Sequence, residues 1–401
     1  MKIQEIGWVL TGALAACGGV ESREWAGTID TLPGGRVLVT NPAEGVWGGD
    51  ARWEVVEDLR IGSADGEGPE LFGRLGMLAE DAGGRIWVFE SVEQQFKVFD
   101  ADGRFIRTVG RRGGGPGEMQ RATGIVQMPD GRLLVVDMAG ARISVFDTAG
   151  SYLAGHPITG GFTLIPWPGG VDRNGYFYNA VPRIVDDEFT VALVRYDSAL
   201  TPLDTLFPPQ WESQEYFEHR NGDNIARASV PYTSSLTWRL TRDGDFWSLL
   251  TGPYELVRQR GSGDTLRVVT KPFASVAVSG EEKDTAVARL KWFTDEGGTV
   301  DRGRIPNQKP AALGFLVAED GHLWVSATTA DTSDVNRVFD IFDPEGRYLG
   351  DVRLPFPMLP RPAPLVSADR LIAVTEDADG VPYVVRARIV KSAPGADGRR
   401  P

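Results

Sequence analysis

The sequence has few of the residues on which metal sites and nucleophilic active sites depend. Among 401 residues there are three histidines and a single cysteine, Cys17. One cysteine excludes an intramolecular disulfide and a cysteine-rich zinc site. The histidines, His156, His219 and His322, lie far apart, and no Gly-x-Ser-x-Gly or His-x-x-x-His motif is present. We therefore expect no catalytic residues and no cofactor.

Positive charge is also in deficit. The chain has 42 Lys and Arg against 55 Asp and Glu, which gives a formal net charge of −13 at pH 7. A surface this negative repels phosphate backbones. Nucleic acid is therefore not an expected partner.

The apolar run at the N-terminus is too short to span a bilayer. Residues 6–16 are mostly apolar and follow one positive charge, Lys2, and a run of this length is typical of a removable export signal. The run ends in Leu14-Ala15-Ala16-Cys17, which resembles the lipobox of bacterial lipoproteins. The alternative is an ordinary secretory signal whose cleavage site contains a cysteine.

The lipobox resemblance implies a signal peptide over residues 1–16 and makes Cys17 the lipidated first residue of the mature protein. Several acyl chains on one residue give stable membrane anchoring. Residues 17–25 are then a tether, and the expected location is the cell envelope, on the periplasmic or extracellular side. The polar tail 391–401 has nothing to bury and is expected to be disordered.

The most informative positive feature is an internal repeat. Residues 61–70 followed by 84–88 return as 109–118 followed by 131–135, at an offset of 47 residues measured from Pro69 to Pro116 and from Arg85 to Arg132. A fixed period of this size, filled with short apolar runs and Gly/Asp turns, is typical of a β-propeller. The chain also has 49 Gly and 26 Pro with 42% hydrophobic residues, which suits many short strands joined by tight turns. We predict an all-β propeller of four-stranded antiparallel blades over residues 26–390.

The number of blades depends on how the ring closes. If residues 52–61 form the outer strand of the blade built from residues 363–388, six blades result and the hairpin around Gly35 is an addition. If that hairpin is a full blade, there are seven. Six is favoured because propellers usually close with a terminal strand that completes the opposite terminal blade.

The repeats resemble NHL repeats. They are most similar to bacterial six-bladed propellers whose blades are joined by a Gly-x-Gly-Pro-Gly-Glu loop, seen here at residues 113–118, and many of those propellers are lipoproteins of unassigned function. The resemblance is strong over residues 61–155, weaker over 310–354 and poor through 156–300. It implies the fold but no activity, because this architecture carries lactonases, lyases and binding proteins.

Two segments interrupt the period. Residues 208–235 read as a long polar-aromatic loop that contains Trp211, Tyr216 and His219. These three side chains either contact a ligand or cover a hydrophobic edge. Residues 279–293 read as a helix that begins with a capping box of Ser279 and Glu282. Its apolar stripe, Ala286, Val287, Leu290 and Phe293, is expected to pack on a blade.

The family geometry implies one face that carries several charged residues. These are Glu90, Glu118, Arg121, Asp137 and Arg142. They form either a ring around the channel mouth that holds a cation or polar ligand, or local bridges that order their own turns and connectors. The glycine-rich stretch 113–117 lacks the Lys-Ser/Thr ending of a phosphate loop and is interpreted as a connector. Trp87, Trp247 and Trp324 occupy one repeat position and are expected to pack between blades.

Together these features predict a lipid-anchored cell-envelope propeller that binds a small polar ligand or an envelope protein and does no chemistry. The alternative is a hydrolase similar to the propeller lactonases, in which Glu, Asn and Asp near the channel hold calcium. A third possibility is a purely structural repeat in an envelope complex. The propeller lyases depend on a histidine-bound zinc, which three scattered histidines make improbable.

Overall fold

The repeats fold into six sheets of four antiparallel strands that form a ring. The computed structural model describes residues 23–48, 52–65, 67–158, 167–185, 188–211, 213–222, 224–331, 333 and 335–391. Cys17, the predicted signal peptide 1–16 and nearly all of the tail 391–401 lie outside the described residues.

The bounds of the elements follow in chain order. The strands are β1 (Thr28–Thr31), β2 (Val37–Thr40), β3 (Glu54–Ile61), β4 (Leu75–Glu80), β5 (Ile86–Glu90), β6 (Gln95–Phe99), β7 (Phe105–Val109), β8 (Ala122–Gln127), β9 (Leu133–Asp137), β10 (Arg142–Phe146), β11 (Tyr152–Pro157), β12 (Gly170–Val171), β13 (Phe177–Val185), β14 (Glu188–Tyr196), β15 (Pro202–Leu206), β16 (Tyr216–Asn221), β17 (Asn224–Ser229), β18 (Leu236–Leu240), β19 (Phe246–Leu250), β20 (Glu255–Gln259), β21 (Thr265–Thr270), β22 (Ala312–Val317), β23 (Leu323–Ala327), β24 (Val338–Phe342), β25 (Tyr348–Arg353), β26 (Leu365–Val366), β27 (Arg370–Glu376) and β28 (Pro382–Val390). The helices are α1 (Gly280–Arg289) and α2 (Lys291–Asp295), followed by a 3-10 turn at Arg302–Arg304.

Blades 1 to 5 are each built from four consecutive strands. They are β4–β7, β8–β11, β12–β15, β18–β21 and β22–β25. The first strands of neighbouring blades contact one another, β4 with β8, β8 with β12 and β18 with β22. The first strands therefore surround the axis of the ring, and the fourth strands lie at the rim.

Blade 6 closes the ring with strands from both ends of the chain. β26, β27 and β28 are completed by β3, which pairs antiparallel with β28 from Ile61 opposite Val384 to Glu54 opposite Val390. The predicted six-bladed closure is confirmed. The seven-bladed alternative is wrong, because hairpin β1–β2 adds in parallel to β21, at the rim of blade 4, and forms no blade of its own.

Between this hairpin and β3 the described chain runs along the rim, and we call residues 23–48 and 52–61 the N-terminal belt. Buried Asn41 fastens the belt to two blades, since its side-chain amide donates to the carbonyl oxygens of Thr270 (3.2 Å) and Gly346 (2.9 Å). Further along, Trp47 N donates to Leu349 O at 2.8 Å. The belt therefore crosses the outer strands of blades 4 and 5 before it completes blade 6.

The turns between third and fourth strands show why the repeat needs Asp and Gly. In blade 1, Asp100 Oδ1 accepts from the backbone N–H groups of Asp102 (2.9 Å) and Arg104 (2.8 Å), and Gly103 has a φ of 79°. A left-handed residue costs least when it is glycine, and a short carboxylate can satisfy the turn's free N–H groups. Asp147 and Gly150 repeat the arrangement in blade 2.

The hydrophobic core lies between adjacent blades. Trp87 packs in a cluster that includes Leu133 of blade 2, and Trp247 packs with Val325 of blade 5. Trp324 packs with residues of blade 6. All three indoles are at most 3% exposed. The prediction that these tryptophans pack between blades is confirmed, and the core thus depends on each blade having a neighbour.

Candidate functional site

One face of the ring carries all the long segments. Each fourth strand runs into a connector that leads to the next first strand, and in an antiparallel blade the loop between second and third strands lies at the same end. We call this end the connector face. Both interruptions of the repeat are connectors, one between blades 3 and 4 and one between blades 4 and 5.

Glu90 and Asp137 lie on this face, at the ends of the second strands of blades 1 and 2. Glu90 is 3% exposed, and it accepts from Gly73 N at 3.0 Å. Asp137 is fully buried and accepts from the backbone N–H groups of Gln120 (3.1 Å) and Arg121 (2.8 Å). Each carboxylate therefore holds the connector that precedes its own blade.

The connector from residue 110 to 121 is held from several sides. Arg142 donates to the carbonyl oxygens of Gly114 (2.9 Å), Gly115 (3.2 Å) and Glu118 (2.7 Å), with Asp137 Oδ2 3.7 Å from its guanidinium.

The Glu118 carboxylate accepts from Gly115 N at 2.8 Å and from Arg111 Nε at 2.8 Å. The Gly115 N–H and the Arg111 guanidinium lower the pKa of Glu118, because both favour its charged form. Arg121 contributes its backbone N–H to Asp137, while its side chain is exposed.

The segment 208–235 is more ordered than the sequence predicts. It contains hairpin β16–β17, where the expectation was a loop. Phe217 and Ala228, a cross-strand pair, are buried on one side of the hairpin. Two buried side chains separated by ten residues, of which only the exposed Ile225 is large and apolar, give too weak an alternation to identify strands from sequence alone.

The structure does not bring Trp211, Tyr216 and His219 together. Tyr216 and His219 are three residues apart on β16, so their side chains project to opposite faces of the hairpin. Tyr216 is 37% exposed and lies 5.8 Å from the guanidinium of Arg227, while His219 is half-buried. Trp211 precedes the hairpin and is half-buried as well.

The predicted capping box of α1 is confirmed. Glu282 N donates to Ser279 Oγ at 3.1 Å, and Ser279 N donates to Glu282 Oε2 at 2.9 Å. The expectation that the apolar stripe packs on a blade is wrong. Fully buried Phe293 packs with Phe217 and Ile305, so the helices lie on hairpin β16–β17. The hairpin has an apolar face of its own to cover, and the helical stripe covers it.

We call the unit of β16–β17, α1, α2 and Ile305 the cap. A groove of about 330 Å³ lies beside the cap, and the connectors on either side of blade 4 supply nearly all of its lining. Its lining combines hydroxyl, amide and ammonium groups with apolar side chains. The polar residues are Thr233, Ser234, Gln308 and Lys309, and the apolar residues are Phe273 and Pro310. Such a mixture of convergent polar groups and apolar surface suits a small polar ligand or a peptide segment.

Two polar groups of the groove have side-chain partners, Lys309 in helix α1 of the cap and Gln308 in another residue of the lining. Lys309 Nζ lies 2.5 Å from the Glu282 carboxylate, and Gln308 Oε1 accepts from Ser275 Oγ at 2.6 Å. Tyr232, also in the lining, has a φ of 61°, a left-handed conformation that is uncommon for an aromatic residue. The groove is therefore largely preformed.

No motif in the sequence identifies the groove residues directly, but one indirect signal exists. The two interruptions of the repeat flank the same blade, so they emerge as neighbours on the connector face. Segments that leave adjacent points of a rigid ring, each with unpaired apolar residues, are expected to pack on one another.

Two kinds of feature are absent from the described part of the chain. No group of three or more Asp, Glu, His or Cys side chains lies close enough together to hold a metal ion there. Within the same residues, no helix has the length and apolar character needed to cross a membrane.

The fold and its closure define the chain as a six-bladed β-propeller with a cap on its connector face. A family model described as DUF5128, 6-bladed beta-propeller, matches residues 71–236. No curated protein matches the sequence.

Several solved structures are similar in fold. A protein from Bacteroides fragilis NCTC 9343, described as a putative exported protein, is 12% identical, with 88% of this chain and 100% of that chain covered and a TM-score of 0.49. A member of the duf4221 family from Bacteroides vulgatus ATCC 8482 is 11% identical over 85% and 99% of the two chains, with a TM-score of 0.47. A gluconolactonase from Xanthomonas campestris is 14% identical over 87% and 91%, with a TM-score of 0.37.

Proposed function

We propose that the protein is an exported, lipid-anchored propeller of the cell envelope that binds a polar ligand or an envelope protein on its connector face and does no chemistry. The observation that carries this proposal is the cap. Two connectors on either side of blade 4 fold against one another and leave a preformed groove of about 330 Å³. Insertions on a rigid scaffold are where binding residues tend to lie.

Binding is favoured over hydrolysis by the state of the connector-face carboxylates. Glu90, Glu118 and Asp137 each accept hydrogen bonds from backbone N–H groups of the connectors. A calcium ion in a lactonase-like site would need such oxygens free and converging at about 2.3–2.6 Å. The calcium-dependent hydrolase remains the alternative function.

The proposed anchor at Cys17 rests on the lipobox resemblance of residues 14–17. The described chain begins at Arg23, whose backbone N donates to Val46 O at 3.0 Å within the belt, at the rim of the ring.

The proposed binding role of the groove is tested by placing a charge in its lining. Phe273 is 44% exposed in the lining, and Phe105 is 37% exposed on the outer strand of blade 1. We expect Phe273→Asp to abolish retention of the natural ligand or partner in quantitative affinity capture from envelope extracts, because a carboxylate cannot replace the apolar contact. The matched control Phe105→Asp should retain it. Identical capture by wild type and Phe273→Asp would contradict the proposed site.

A further inference from the structure

One layer of the channel wall contains a single charged side chain. The strand register identifies the equivalent position in all six first strands, since each member lies opposite the corresponding residue of its second strand, as Ala79 does opposite Trp87 and Arg239 opposite Trp247. The six positions are Ala79, Val126, Gly170, Arg239, Leu316 and Leu365. Five of the six are apolar or glycine, so blade 4 alone places a guanidinium in this layer.

Arg239 has no acidic partner in the described part of the chain. Its Nη1 donates to the carbonyl oxygen of Trp238 at 2.8 Å, and its Cζ lies 5.5 Å from the ring centre of Phe315 in the first strand of blade 5. Burial lowers the pKa of Arg239, because the charged form has lost hydration. The side chain nevertheless keeps intermediate solvent exposure. Deep enclosure combined with residual exposure is expected of a side chain that lines an internal channel.

Two arginines that bridge blades at the end of the ring away from the connector face are paired with carboxylates. Arg370 Nη1 donates to Glu80 Oε1 at 2.6 Å, and Arg173 Nη1 lies 2.9 Å from Asp243 Oδ1. A buried guanidinium ordinarily has such a carboxylate, since an uncompensated buried charge is costly. Arg239 therefore carries binding capacity that the described fold does not use.

The surroundings of Arg239 offer a second polar group and open space. Thr237 lies two residues earlier on the same face of β18, and its buried Oγ1 has no hydrogen-bond partner within the described residues. On the first strand of blade 5, a side chain built at Gly314 would meet no atom within 4 Å. A hydrogen-bonding ligand group thus has both a partner and room.

We propose that the channel binds an organic carboxylate, with its carboxylate on Arg239 and its apolar body against Phe315 and Leu316. The proposal rests on the binding function proposed above and names a ligand class for the channel, distinct from the groove beside the cap. A guanidinium fork matches a carboxylate with two parallel hydrogen bonds. The apolar layer favours a carboxylate on an apolar body over strongly hydrated inorganic phosphate. Because the whole chain carries a charge of −13, recognition of an anion must come from this local group.

The test uses hexanoate, benzoate and inorganic phosphate as probes in calorimetric titrations of the full chain. We expect hexanoate or benzoate to bind wild type at one site, and Arg239→Met to bind about tenfold more weakly or worse. Arg183→Met is the matched control and should bind as wild type does. Arg183 likewise donates to the carbonyl of the residue before it, Pro182 (2.9 Å), but lies on the second strand of blade 3.

A second variant tests the same site in case Arg239→Met does not fold. Gly314→Leu leaves the guanidinium in place, fills open space and is expected to block the same probe. Wild type that binds neither carboxylate at millimolar concentration, or that binds phosphate alone, would overturn the proposal. So would unchanged carboxylate binding in folded Arg239→Met.

The two proposals fail separately. If wild type binds neither carboxylate probe but affinity capture still depends on Phe273, only the proposed channel ligand is rejected. If wild type binds a carboxylate probe but Phe273→Asp leaves affinity capture unchanged, only the proposed groove site is rejected.

Discussion

At the residue scale, a buried ion pair joins blades 4 and 5. Lys271 Nζ lies 2.7 Å from Asp340 Oδ2, and Tyr348 donates its hydroxyl to Asp340 Oδ1 at 2.9 Å. Tyr254 also donates its hydroxyl to Asp340. Burial, and then the charge of Asp340, raise the pKa of both tyrosines, so the phenols remain protonated donors. The carboxylate is thus compensated by one ammonium and two hydroxyl groups.

Asp340→Asn should destabilise the propeller severely. The substitution leaves the ammonium of Lys271, whose side chain is 11% exposed, without its counter-charge. Breaking one partner of a buried pair costs roughly 3–5 kcal/mol. Urea unfolding followed by tryptophan fluorescence should show this loss in the free energy of unfolding.

The control also removes the charge of Lys271, which Asp340→Asn leaves without a counter-charge. Lys271→Met combined with Asp340→Asn should recover a large part of the lost stability, since an apolar side chain of similar length needs no partner. If the double variant is no more stable than Asp340→Asn, the pair is not the source of the effect.

At the scale of elements, the cap is a cooperative unit because helices and hairpin share one cluster around Phe293. Ser279→Ala removes the side-chain acceptor at the start of α1 and should cost about 1 kcal/mol. We expect amide hydrogen exchange to quicken about fivefold in peptides that cover α1 and, through the shared cluster, in those that cover β16–β17.

Two comparisons make this measurement specific. Ser279→Asp restores an acceptor at the same position and should return exchange to the wild-type rate. Peptides from β8–β10 of blade 2 should be unaffected by either substitution. Faster exchange in α1 alone would mean that the hairpin does not depend on the helices.

The elements also show what could be predicted from the sequence. The predicted outer strand 52–61 agrees with β3 (Glu54–Ile61) to within two residues, because Gly62, with a φ of 148°, ends the strand. The capping box was equally local and equally predictable. The cap was not, because the packing of Phe293 on Phe217 joins segments from two different connectors.

The candidate sites were harder to predict for the same reason. Glu90 and Asp137 were identified because they end second strands, but their bonding to connectors required coordinates. Arg239 was not singled out, because Leu236–Leu240 reads as an ordinary strand. Its difference from the other blades appears only when all six first strands are aligned by register.

At the scale of the whole molecule, membrane attachment is proposed to depend on Cys17. Cys17→Ser should move the protein from the detergent phase to the aqueous phase in detergent partitioning, because the acyl chains that supply about 0.8 kcal/mol per buried CH₂ can no longer be attached. Immunoblots of the two phases measure the shift.

A neighbouring substitution provides the control. Ser22→Ala alters the same segment and should stay in the detergent phase. Detergent partitioning that is unchanged by Cys17→Ser would refute the lipid anchor.

The closure of blade 6 has a consequence for the order of folding. Among the strands of the described chain, β3 is the third to be synthesised, yet its partner β28 is the last. Until Val390 has been made, β3 has an unsatisfied backbone edge and the first blade has no neighbour on one flank, a state prone to aggregation. The exposed strand edge and blade face of the nascent chain must therefore be protected from aggregation for nearly the whole of synthesis. Truncation anywhere before β28 leaves a ring that cannot close.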